Sequence, residues 1–309
     1  MGVFVFLPLV LPFTAWPIAR LAEHHLHPRT ATWLLTAIAA VLAVCSTLCL
    51  ALLMVVGTAQ LPGNPLPDGW SDPEVRDAVP YDEVAGKAAI PALLAALAGC
   101  ASITWRHFRV RRGAVRALAG LPRRSVTVLP DDAGYAYAVP GRRGRIVVST
   151  GMLAALDGRE RRALFAHERA HLAARHHRFL LVVRLAARAN PFLRPLCTSV
   201  AYTTERWADE DAAAVTGSRR GVARAVAKAA LVRGSAPAGA FAHFAVAGPV
   251  PRRVAALLAP APAVLRWPPV FTAVGLAVWG ATVGAAVSAL SSANAAVTLF
   301  FILKAATPL

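Results

Sequence analysis

The sequence predicts an α-helical membrane protein of about four transmembrane helices, with a mixed α+β domain inserted before the last of them. Three observations carry this expectation. The apolar residues fall into long blocks, the Lys and Arg residues are concentrated in one stretch, and that stretch passes from short alternating strands to helical spacing. With 57% hydrophobic residues among 309 and a mean hydropathy of +0.52, the chain is too apolar for an ordinary soluble domain.

The first block, Val3 to Ile18, is interrupted by three prolines. It lacks the basic start and small-residue cleavage site of a signal peptide, so it is expected to be retained as a first span. Trp33 to Val56, Ala88 to Trp105 and Pro269 to Leu290 are the other three, each close to the roughly 20 residues a helix needs to cross a bilayer. Val297 to Leu303 is apolar but too short to cross alone. The net charge is +17, and Arg106 to Arg266 carries 28 of the 33 Lys and Arg. Gly57 to Lys87, by contrast, holds six acids and two bases. The positive-inside rule therefore places both termini and the acidic loop 57–87 outside, and residues 106–267 in the cytoplasm. Three segments follow: spans and acidic loop over 1–105, a cytoplasmic domain over 106–267, and a last span with a short tail over 268–309.

Within the cytoplasmic segment, Ser125 to Pro130, Tyr135 to Pro140 and Arg145 to Thr150 read as short strands separated by polar, glycine-containing turns. Asp157 with Glu160 three residues later is a capping-box start for a helix running to about His177. Asn190-Pro191 starts another, with Asn as cap and Pro in the first turn, and Gly217 is its expected stop. Phe179 to Ala189 is apolar but carries Arg184 and Arg188, and is expected to lie at the membrane interface. Cys45, Cys49, Cys100 and Cys197 contain no CxxC pair and read as packing residues.

The chemistry sits in the first of those helices. His167, Glu168 and His171 form the order His-Glu-x-x-His, and residues four apart on a helix share a face. Two neutral imidazoles so placed suit Zn²⁺, with Glu168 beside the metal to polarise a water. Catalytic zinc wants a third protein ligand and an open position. Glu205, 34 residues after His171, supplies it on the second helix, and Asp209, four residues on, shares its face and is suited to orient a ligating histidine. Glu210 or Asp211 could stand in for Glu205, but neither has an acid four residues further on. His176 and His177 fall off the metal face of a straight helix and read as surface or interfacial groups. His24, His25 and His27 read as a loop cluster near the headgroups. Tyr137 and His243 are candidate oxyanion or substrate contacts, with Arg219 and Arg220 as further donors.

At these residues the chain resembles the gluzincin metallopeptidases, in which the third ligand is the first Glu of an ExxxD stretch such as ERWAD (Glu205 to Asp209). Within them it resembles the M56 family, the BlaR1/MecR1-like membrane peptidases: three expected spans precede the motif, and ANPFLRPL (Ala189 to Leu196) is similar to the Asn-Pro segment before the third ligand. RIVVSTGMLAAL before the motif and PRRVAALL after it are shared with the HtpX-like M48 family, and a membrane-protein quality-control protease of that kind is the alternative reading. The resemblance implies a zincin-like metallopeptidase fold in the cytoplasmic domain, one zinc ion per chain and endopeptidase activity at a bacterial plasma membrane. It also implies a cytoplasmic repressor of the BlaI/MecI type as substrate. The receptors carry a penicillin-binding sensor domain after the last span, and the roughly 20 residues here leave no room for one, so β-lactam sensing is not expected.

The expected mechanism is hydrolysis of a peptide bond with Glu168 as general base, the peptide pairing with an exposed strand such as Arg145 to Thr150. Two rival classes are a signalling or scaffold protein with a structural or vestigial zinc site, and a nucleic-acid or anionic-lipid binder. Retention of Glu168 argues against the first, since a structural site needs ligands but no base. The spread of the 28 bases favours contact with membrane lipids and not specific nucleic-acid binding.

Overall fold

The computed structural model describes residues 5–64, 66–73, 75, 82–120, 124–141, 144–232, 249–262 and 268–307. Helices dominate because the apolar blocks are rich in Ala and Leu, the best helix formers. Among the described residues three helices are long and apolar enough to cross a membrane: α2 (Pro28–Ala59), most of α3 (Asp82–Ala117), and the last, Ala273–Ala305. The first expected span is not among them. Its prolines lack the N–H that would continue a regular helix, and the described part breaks into Leu7–Val10, a 3-10 turn Leu11–Thr14, and α1 (Ala15–His25). Val297 to Leu303 is simply the end of the last helix, which runs unbroken for 33 residues.

The three expected strands form: β1 (Val126–Leu129), β2 (Ala136–Val139) and β3 (Arg145–Ser149). Their order is β1-β3-β2, with β1 parallel and β2 antiparallel to β3. Arg145 to Thr150 is thus the central strand, and the expectation that it offers a free edge is wrong. Both its ladders are already taken by neighbours. Ser149 then caps α4 (Thr150–Ala155), its side chain accepting from Met152 N.

α5 (Gly158–Ala173) opens on the full capping box: Asp157 Oδ1 accepts from Glu160 N, and Glu160 Oε2 accepts from Asp157 N. It ends sooner than the sequence suggests. Arg175 adopts a left-handed backbone conformation (φ 55°), and a new helix, α6 (His176–Ala189), starts in another direction. Asn190 caps the 3-10 turn Pro191–Leu193 that leads into α7 (Arg194–Thr216), and Gly217 stops α7 at φ 69°. α8 (Arg219–Val232), α9 (Val250–Leu258) and the last helix, α10 (Ala273–Ala305), follow among the described residues.

One apolar core joins the membrane helix α2 to the domain. Leu34, Leu35, Ile38 and Leu42 pack with Phe179 and Val183 of α6 and with Leu196, Val200 and Trp207 of α7. Across the same contact Thr32 Oγ1 donates to Thr203 Oγ1 at 2.9 Å. At one end, Glu23 pairs with Arg252 at 2.8 Å and the Arg29 guanidinium lies 5.3 Å from the Trp207 ring centroid. The sequence expectation of a loop over 20–29 is replaced by the end of α1 and the start of α2, and these contacts hold that junction against α7 and α9. At the other end, Trp70 Nε1 donates to Thr307 Oγ1. α2 and α3 cross at Gly57 and Gly86, where a Cβ on Gly57 would lie 2.3 Å from the Gly86 carbonyl carbon.

Only backbone faces backbone at that crossing, so nothing there can rotate away. Gly57→Leu is expected to part α2 from α3 and lower stability by about 1–3 kcal/mol. A fall in the thermal midpoint of the detergent-solubilised chain measures it, and an unchanged midpoint contradicts the close crossing.

Candidate metal centre

His167 and His171 face α7 from α5, and Glu205 faces them from α7. Their candidate ligand atoms all lie within 4.8 Å of one another. His167 Nε2 is 3.1 Å from His171 Nε2, 3.6 Å from Glu205 Oε2, and His171 Nε2 is 3.4 Å from Glu205 Oε1. Two ligand atoms about 2.0 Å from one tetrahedral ion lie about 3.3 Å apart. The Nε2–Nε2 distance matches that figure and each imidazole has one Glu205 oxygen 3.4–3.6 Å away, Oε2 for His167 and Oε1 for His171, so the three residues could hold a zinc ion between them.

The competing ligands are occupied elsewhere. Glu210 is held at 2.8 Å by both Arg206 and Arg219, and Asp211 is exposed beside the arm of α7 that meets Arg29. Arg219 also donates to the carbonyls of Ala256 and Ala259, so it braces α9 and does not serve as an oxyanion donor. Tyr137 is turned away from the centre. Ala136 lines the cleft beside His167, and its neighbour on the strand faces the opposite side, packed near Tyr135 and Val147. His243 lies outside the described residues. Glu168 is buried next to His167 and lines an apolar cleft of about 180 Å³ with Met152, Leu164 and Val226.

Behind the ligands stand three supporting residues. Asp209, fully buried, has Oδ1 3.0 Å from His167 Nδ1, although the ring is not turned for a straight hydrogen bond. His176, expected on the surface, is buried to 1% exposure with its Nδ1 2.8 Å from His171 Nδ1 and its ring edge-on to Trp207. The left-handed Arg175 turn is what swings it back. For His171 to present a lone pair at Nε2, the hydrogen must sit on Nδ1 and be accepted by His176. Burial, then the neighbouring His171, pulls His176 down to about 2, which keeps it a neutral acceptor. Arg253, from the PRRVAALL stretch, is the third. Its guanidinium donates to both Asp209 oxygens at 2.8 and 2.6 Å and lies 2.8 Å from Glu205 Oε2.

The electrostatics follow. Burial works against ionised Glu205 and Asp209, but Arg253 and His167 outweigh it and hold both carboxyls below their ordinary values. Burial brings His171 down to about 4, neutral and ready to ligate. For His167 burial is opposed and overcome by Asp209 and Glu205, which lift it to about 9.

The sequence profile of peptidase family M48 matches residues 102–193, a stretch that runs from the end of α3 through the His-Glu-x-x-His helix to the turn before α7. The match supports a membrane-type zinc metallopeptidase and does not extend to the M56 assignment that the Asn-Pro segment suggested. No curated protein and no solved structure matches the chain.

Two outcomes follow. Arg253→Leu leaves two buried carboxylates without their cation and is expected to cost about 3–5 kcal/mol. Because Glu205 and Asp209 have lowered folded-state values, the stability they contribute is full above about pH 4 and is lost as pH falls further. Urea melts of the zinc-free chain should show that acid loss in wild type and a smaller one in Arg253→Leu. His176→Phe keeps the packing against Trp207 but removes the acceptor, and should weaken zinc binding about 10–100-fold in a chelator competition, with a thermal midpoint near wild type.

Proposed function

We propose that the chain is a membrane-embedded zinc endopeptidase of the M48 type, acting in HtpX-like fashion on membrane or membrane-associated proteins. The observation that carries this reading is the convergence of His167, His171 and Glu205, whose candidate ligand atoms lie within 4.8 Å of one another, with Glu168 beside them on the wall of an apolar cleft. The M48 profile match over residues 102–193 supports the same class. The positive-inside bias puts the domain in the cytoplasm.

In this reading His167, His171 and Glu205 hold the ion. Zinc so held supplies Lewis acidity toward water and a peptide carbonyl. Glu168 accepts the water's proton during attack and returns it to the departing amine. Arg253 and Asp209 keep Glu205 and His167 in place, and His176 fixes the tautomer of His171. A substrate backbone would pair with β2. Among the described residues no strand occupies its outer edge, and Ala136 already lines the cleft. The apolar wall formed by Met152, Leu164 and Val226 excludes water from the far side of the base.

A second reading, regulated cleavage of a cytoplasmic repressor as in M56 receptors, is favoured by one observation. α2 shares its core and the Thr32–Thr203 hydrogen bond with the helix that carries Glu205, so a shift of α2 would reach a ligand directly.

Purified full-length protein should contain one zinc per chain and cleave an unfolded test protein. Glu168→Gln is expected to keep the zinc and lose about 10²–10⁴ in kcat/KM, while Glu205→Ala loses metal and activity together. Equal cleavage by all three would remove the peptidase reading, and a zinc-free wild type would remove the metal centre.

A further inference from the structure

A second cleft, of about 870 Å³, opens on the face of α5 opposite the metal. Four arginines line it from four different places: Arg111 on α3, Arg169 on α5, Arg175 in the left-handed turn, and Arg178 on α6. Among the described residues no acidic residue lines it, and none of the four guanidiniums pairs with a carboxylate. His107 and His177 add two imidazoles to the wall. The positive field is felt at His177, which burial and then Arg178, His107, Arg111 and Arg175 bring down to about 4. Four like charges converging on one cavity repel one another, and that arrangement is relieved by an anion.

The depth of the cleft says which anion. The apolar part of α3 ends at Trp105, which is exposed as an interfacial aromatic would be. At 1.5 Å per residue, His107 to Arg111 stand about 3–9 Å beyond it, within the headgroup layer of a bilayer. α6 runs down beside α3 from there. Leu185 O accepts from Cys100 Sγ, and Arg188 packs beside Gly99, both deeper along the apolar stretch. Phe108, half exposed, and Leu181 give the same cleft an apolar flank. Guanidinium forks for a phosphate and an apolar flank for a chain leaving it are the two halves of a phospholipid.

We propose that this cleft binds the phosphate headgroup of an anionic phospholipid. The site is independent of the peptidase chemistry, yet it shares a helix with it. Arg169 lies between Glu168 and His171 in sequence, and Arg175 precedes His176, so a bound lipid would brace the turn that holds His171 in place.

The test is native mass spectrometry of the delipidated full-length chain in detergent, titrated with phosphatidylglycerol and, separately, phosphatidylcholine. The cleft variant is Arg175→Gln/Arg178→Gln. The control, Arg159→Gln/Arg162→Gln, removes the same charge from exposed positions at the start of α5. Wild type and control are expected to retain phosphatidylglycerol alike, the cleft variant to bind it about tenfold more weakly, and phosphatidylcholine to bind poorly to all three. Equal retention by the cleft variant, or equal binding of the two lipids, would overturn the proposal. Displacement of phosphatidylglycerol by millimolar inorganic phosphate would also overturn it and assign the cleft to a soluble phosphate.

Discussion

Glu205 and Asp209 are two carboxylates one turn apart on a buried face of α7, and Arg253 is the cation that allows both to stay ionised there. Buried charges are costly unless each is paired and hydrogen-bonded. Arg253 meets that condition bidentately at Asp209 and again at Glu205. Asp209 in turn stands against His167, so the position of a histidine on α5 depends on a guanidinium from α9. The geometry of the metal centre is therefore held by a charge network that spans three helices. Its apolar surroundings, the small residues Ala163, Ala166, Ala212 and Ala213 where α5 and α7 meet, let the two backbones approach closely.

The same helices are part of the membrane bundle. α6 and α7 do not sit on a separate globule: their apolar faces share one core with α2 and with Val278 and Ala281 of α10. Trp207 shows the economy of this arrangement. It closes the core on one side, stands against the His176 ring on another, and lies under the Arg29 guanidinium from the first turn of α2. A centre built this way is continuous with the apolar helices, so whatever moves those helices moves the residues behind its ligands.

The resemblance and the profile match agree on the class and part company on the family. Both include the His-Glu-x-x-His helix, but the resemblance also draws on ERWAD (Glu205 to Asp209) and on the Asn-Pro segment. The matched stretch ends at Leu193, so Glu205, Asp209 and Arg253 lie beyond it; the first two rest on the ExxxD spacing together with the geometry, and Arg253 on the geometry alone.

The sequence by itself determined what is local. His167 with His171, and Glu205 with Asp209, share faces because a helix repeats every 3.6 residues, and any helix through those residues places them so. The capping box at Asp157, the Asn190 cap and the Gly217 stop are likewise decided within a few residues. Tertiary structure decided what is not local. Strand order depends on pairing between distant segments, which is why the central place of Arg145–Ser149 could not be read from its own residues. The break at Arg175 was hidden because an arginine in a left-handed conformation leaves no sign that a glycine would, and with it went the burial of His176. Arg253 could be seen in a recognisable stretch, but its partners, 44 and 48 residues away, are set by how α9 docks on α7. Short-range hydrogen bonds and helical periodicity write themselves into the chain, whereas the pairing of buried charges is fixed only when distant helices meet and water is excluded.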